Sequence, residues 1–91
     1  MADDCATLAR KLEDAKEELR KAQDRVEACS RELGNAEREL KRAREIHDEK
    51  IIEHWTREVD KADRELEYAK GDSRQAEIVR NGYQKEYNRD C

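Results

Sequence analysis

The stretch REIHDEKII, residues 44–52, separates two long runs of apolar residues that each repeat with helical spacing. This stretch decides whether the chain continues as one helix or turns back on itself. It contains no glycine, proline or asparagine, which are the residues expected where helices reverse direction. It therefore favours continuous helices, and a turn near His47 and Asp48 stays open as the alternative.

On the N-terminal side of this stretch, apolar or small residues recur from residue 5 to residue 43 in alternating steps of three and four. Such a heptad repeat is typical of helices that wind around one another. One seam position mostly carries large residues and the other mostly alanines. The large seam residues of this run are Leu8, Leu12, Leu19, Val26, Leu33 and Leu40.

On the C-terminal side, a second heptad run covers residues 59–87 and includes Val59 and Leu66. Between residues 43 and 59 the apolar residues are spaced by fours, which is typical of a stutter that locally unwinds a coiled coil. Gly71 and Asp72 could weakly break the helix, and the end of the chain, residues 82–91, is expected to fray. Residues 1–91 are otherwise predicted to form a single coiled-coil element.

An apolar seam of this length needs a second helix to cover it, and the charges favour an antiparallel one. A parallel homodimer would oppose like charges at more flanking positions than unlike charges. In an antiparallel register, Val26 faces Ala69, Cys29 faces Leu66 and Leu33 faces Ala62, so large residues meet small ones along most of the seam. The same register places Arg25 beside Asp72. The predicted fold is therefore an all-α, long-helix coiled coil, either a dimer of continuous helices or a helical hairpin turning near residues 46–50.

The middle of the chain carries more apolar surface than a two-position seam requires. We define a central patch that includes the only tryptophan of the chain and consists of Ile46, Ile51, Ile52 and Trp55. The patch could reinforce the stutter or hold a turn in place. It could also be the contact with a partner, which is the hypothesis that gives it a function.

Composition excludes several classes of function. Charged residues make up 48% of the chain, but both signs are interspersed and the net charge is only −4, which argues against nucleic acid as a partner. No apolar run is long enough for a membrane span or a signal peptide, so we expect a soluble, intracellular, cytoplasmic protein. A rod with solvated carboxylates lacks an enclosed catalytic site, so we expect no enzyme activity, no cofactor and no small-molecule substrate.

Histidines and cysteines give no metal motif. His47 and His54 are seven residues apart, but neither has a carboxylate three residues before it. The three cysteines, Cys5, Cys29 and Cys91, are widely spaced and odd in number. Reduced thiols are the expectation for a cytosolic protein, with a crosslink between helices or chains as the alternative. A hairpin would bring Cys5 beside Cys91.

The segments ARKLEDAKEELRKAQ, residues 9–23, and AERELKRA, residues 36–43, resemble tropomyosin and myosin-rod coiled coils, which also mix leucine and alanine in their seams. The likeness is one of composition and implies a coiled-coil rod. From the apolar seam and the central patch, we expect a structural or protein–protein interaction coiled coil that acts as a spacer, tether or oligomerisation element. Its partner would be a second copy, as a dimer or higher oligomer, or another helical protein. The alternative is a small regulatory adaptor or inhibitor whose helix becomes ordered on a larger target.

Overall fold

A computed structural model describes residues 4–91, which form two long antiparallel helices. Helix α1 spans Cys5–Glu45 and helix α2 spans Glu49–Asp90. The molecule measures 65 × 16 × 14 Å, so it is one hairpin whose length is that of its helices. The all-α antiparallel prediction is confirmed, in its hairpin form.

The prediction of continuous helices is wrong, because residues 46–48 reverse the chain. His47 adopts a left-handed backbone conformation with φ 55°, a region in which histidine is more common than most other residues. Asp48 then caps α2, since its carboxylate accepts hydrogen bonds from the backbone N–H groups of Lys50 and Ile51. The spacing by fours between residues 43 and 59 therefore spans a turn and not a stutter within one helix.

The start of α1 is capped in the same way. The Asp4 carboxylate accepts a hydrogen bond from the Thr7 backbone N–H at 2.8 Å, and this bond holds the pKa of Asp4 below its ordinary value. Helix α2 passes through Gly71 and Asp72 without interruption and remains helical through residues 82–90. Each apolar seam therefore lies on one unbroken helix.

The two seams pack against each other along the hairpin. Cys29, Leu66 and Ala69 form a buried cluster, and Val26 and Leu33 pack against it. This grouping agrees with the predicted register, in which Cys29 faces Leu66 and Val26 faces Ala69. The predicted ion pair between the Arg25 guanidinium and the Asp72 carboxylate is also present at 3.4 Å. Large residues thus meet smaller ones across the interface, which keeps the helices evenly spaced.

Candidate interaction surface

Most of the predicted seam residues are buried between the helices. Leu8, Leu12, Leu19, Leu40 and Leu66 are buried, as are several alanines of the alternate seam position. The remaining three, Val26, Leu33 and Val59, are half-buried. The seam therefore packs one helix against the other within a single chain.

The central patch lies at the turn end of the hairpin, because the chain reverses through it. Ile46 is 65% exposed and Ile51 is 38% exposed, while Ile52 and Trp55 are half-buried. The His54 ring meets the Trp55 indole edge-on, with ring centroids 5.0 Å apart. The structure thus places apolar surface at the tip of a rod whose other apolar residues mostly face inward.

The cysteines occupy two different environments. A disulfide joins Cys5 to Cys91 with their Cα atoms 5.9 Å apart, so the end of α2 is covalently tied to the beginning of α1. Cys29 is a free thiol in the buried cluster with Leu66 and Ala69. Reduced thiols were the expectation for all three, and the structure corrects it for Cys5 and Cys91. The crosslink lies within one chain.

One side of the hairpin carries a shallow groove between the helices. We define this groove face by two stripes that run beside the seam in steps of about three and four, one on each helix. The α1 stripe runs from Lys11 to Asn35, and the α2 stripe runs from Glu58 to Tyr83. The groove deepens at three places: an upper depression of about 260 Å³ near the tip, a lower one of about 480 Å³ near the disulfide, and one of about 320 Å³ that adjoins the lower.

The upper and lower depressions have similar linings. The upper depression has Ala36 and Ala62 in its floor and Trp55 at its edge, and the lower has Ala15 and Ala76 with Tyr83. Each is bordered by three carboxylates and one lysine. The carboxylates of the upper depression are Glu32, Glu58 and Glu65, and those of the lower are Asp14, Glu18 and Asp72.

These carboxylates differ in their partners. In the lower depression Glu18 is paired with Lys21 at 3.7 Å, and Asp72 with Arg25. Within residues 4–91, no ion pair engages Glu32, Glu58 or Glu65 of the upper depression. Glu58 and Glu65 are half-buried. The upper depression is therefore the more acidic of the two.

Sequence reasoning missed part of this surface. Tyr68 is 72% exposed and Ile78 is 64% exposed, and Val79, which lines the lower depression, is 40% exposed. Tyr68, Ile78 and Val79 all lie outside the heptad seam positions. An apolar residue outside the seam positions was the sequence signal that could have identified these three exposed residues. That signal was recognised only in the central patch.

No cluster of histidine, cysteine and carboxylate side chains suitable for a metal occurs among residues 4–91. Within the same residues, neither helix has a stretch apolar enough to cross a membrane. No protein-family model matches the chain, and no curated protein or solved structure is significantly similar to it.

Proposed function

We propose that this chain is a non-catalytic helical hairpin that acts as a spacer or tether and binds a partner protein through the central patch at its tip. The observation that carries the proposal is the exposure of Ile46 and Ile51 at the turn, on a rod whose large seam residues are buried or half-buried. Burying an isoleucine fully is worth about 1.5–3 kcal/mol, so two at one tip could anchor a contact.

The second candidate is a small adaptor or inhibitor that becomes ordered only on its target. The intramolecular seam and the Cys5–Cys91 disulfide favour the first candidate, because they provide the chain with a core of its own. Sedimentation and circular dichroism separate the two candidates. We expect cooperative thermal melting of the isolated protein, whereas a weakly helical monomer would support the adaptor.

Site-directed crosslinking tests the tip contact. A photo-crosslinking residue replaces Ile51 at the tip or, as the matched control, exposed Arg31 on α1, and the proteins crosslinked in cells are compared. We expect a partner that is captured at position 51, is absent at position 31 and is lost with Ile46→Ser. Crosslinking to a second copy would instead make the hairpin an oligomerisation element. Identical products at both positions would contradict the proposal.

The cellular location is also a proposal. An intracellular, cytoplasmic protein agrees with the sequence, but disulfides are rare in the cytosol and persist in oxidising compartments. The Cys5–Cys91 bond gives this question a direct test. Alkylation of the protein in intact cells, followed by mass spectrometry, reports whether the two thiols are free, as a cytoplasmic location requires, or joined.

A further inference from the structure

The groove face has the shape of a site for a third helix. Residues of both stripes lie beside the seam over several turns, and two alanines line each depression. Alanines leave room for the side chains of a helix that approaches closely, as in helix-in-groove recognition. From Asp14 to Glu32 the groove extends about 27 Å at 1.5 Å per residue, so an occupant would need about 18 helical residues.

The chemistry of the groove changes along its length. The lower depression is the largest and has Val79 and Tyr83 beside its two alanines, while two of its three acids, Glu18 and Asp72, already have basic partners. Apolar side chains therefore suit it best. The glutamates of the upper depression have no ion-pair partner among residues 4–91, and they lie near the Trp55 indole.

Basic side chains match the upper depression. Glu32, Glu58 and Glu65 surround it with Lys61 as its one cation, so lysine or arginine from outside would find carboxylate partners there. The guanidinium or ammonium group could also lie against the ring of Trp55, a favourable cation–π contact. The antiparallel fold itself brings Glu32 and Glu65 to the same groove, although their like charges repel.

We propose that the groove face binds a basic amphipathic helix of a partner protein, with apolar side chains over Ala15 and Ala76 and lysine or arginine beside Glu58 and Glu65. This inference rests on the proposed function, since Trp55 belongs to both the tip patch and the groove. The inference adds to the proposed function the class of partner, which is a protein with a basic amphipathic helix. A second copy does not match this face, because two groove faces laid together would oppose their carboxylates in either orientation.

Tryptophan fluorescence gives a direct measurement of binding, because Trp55 is the only tryptophan of the chain. The probe is a synthetic amphipathic helix of about 20 residues with a leucine stripe and lysines elsewhere, compared with the same peptide carrying glutamates in place of the lysines. At low salt we expect the full-length protein to bind the lysine peptide at least about ten-fold more tightly, and this preference to shrink as salt is added.

Charge-neutralising variants locate the site. Glu58→Gln with Glu65→Gln should weaken binding of the lysine peptide about five-fold or more, whereas Glu27→Gln with Glu37→Gln, the same charge change outside the groove, should change it less than about two-fold. Val79→Ser should weaken binding through the lower depression while leaving the helical content unchanged. Circular dichroism checks the fold of each variant.

Three outcomes would overturn the inference: equal binding of both peptides, equal loss in the control variant, or dimerisation of the protein that the groove variants abolish. The last would assign the groove to a second copy. A partner that is crosslinked at position 51 but has no basic helix would leave the tip contact standing and remove only the groove assignment. If no partner contacts the tip but the protein still prefers the lysine peptide, the groove assignment stands and the tip contact is removed.

Discussion

The reversal of the chain depends on His47 and Asp48, which have different structural roles. His47 is the only non-glycine residue among residues 4–91 with a positive φ, and Asp48 caps the helix that follows it. A left-handed conformation costs an ordinary L-residue about 1–2 kcal/mol. The Asp48 hydrogen bonds offset part of that cost by satisfying the first N–H groups of α2.

Replacement of His47 by glycine should therefore stabilise the hairpin. Glycine adopts a positive φ without a steric cost but increases the entropy of the unfolded chain, so we expect a net gain of about 0.5–1 kcal/mol in the free energy of unfolding. His47→Val should lower it instead, because a β-branched residue resists this conformation. Urea denaturation measures both variants, and a gain with valine would contradict the account.

Arg80 is an unusual residue for a packed seam. It is half-buried, and its Nε is buried without a hydrogen-bond partner among residues 4–91. The register that pairs Cys29 with Leu66 places it opposite Ala15, which leaves space for its long side chain. A buried unsatisfied donor costs about 1–3 kcal/mol.

Arg80→Leu is accordingly predicted to raise the free energy of unfolding by about 1 kcal/mol, because leucine fills the seam without a polar atom to satisfy. The matched control is Arg74→Leu, on an exposed part of the same helix, which should change it by less than about 0.5 kcal/mol. Thermal and urea unfolding are the measurements. A loss of stability at position 80 would mean that the guanidinium is satisfied in solution.

At the scale of the helices, the heptad pattern and the flanking charges were sufficient to predict the all-α fold and its antiparallel packing, but they favoured one continuous helix where the chain forms two. A periodic seam constrains which residues face inward, and the pairing of large with small residues constrains which seams fit together. The turn was harder to predict, since His47 and Asp48 can occupy a left-handed position and an N-cap but also occur within helices. The groove face was missed because a heptad seam says little about the stripes beside it.

The helices contain glycines that the fold does not require. An added methyl group at Gly34 or Gly71 would meet nothing within 4 Å, and neither residue has a positive φ. Alanine should stabilise each helix by about 0.5–1 kcal/mol at either position, because it restricts the unfolded chain and favours the helix. The double variant should show nearly additive gains in thermal unfolding, as the two sites lie on different helices. A loss at either position would indicate that the glycine serves an unrecognised contact.

At the scale of the whole molecule, the disulfide and the seam act together. The bond closes the chain over a sequence separation of 86 residues, so it removes many conformations from the unfolded state. It joins the helices at the end opposite the turn, so each end of the hairpin has a connection between α1 and α2. The pairing of Cys5 with Cys91 could be predicted from the sequence only on the condition that the chain forms a hairpin. A parallel dimer would not bring these two cysteines together.

Reduction of this bond should lower the free energy of unfolding by about 2–4 kcal/mol, chiefly by releasing the unfolded chain from its loop constraint. The double variant Cys5→Ser and Cys91→Ser should reproduce the loss, and a reductant should then have no further effect on it. Cys29→Ala serves as the control for the reductant, because Cys29 takes no part in the bond. Equal stability of the oxidised and reduced protein would contradict this role.

The closeness of Cys5 to Cys91 has a consequence for engineering. With Cα atoms only 5.9 Å apart, the hairpin could be grafted into a surface loop of a host protein without forcing the insertion points apart. It would then project from the host as a stalk about 65 Å long and hold Ile46 and Ile51 at a fixed reach from the surface.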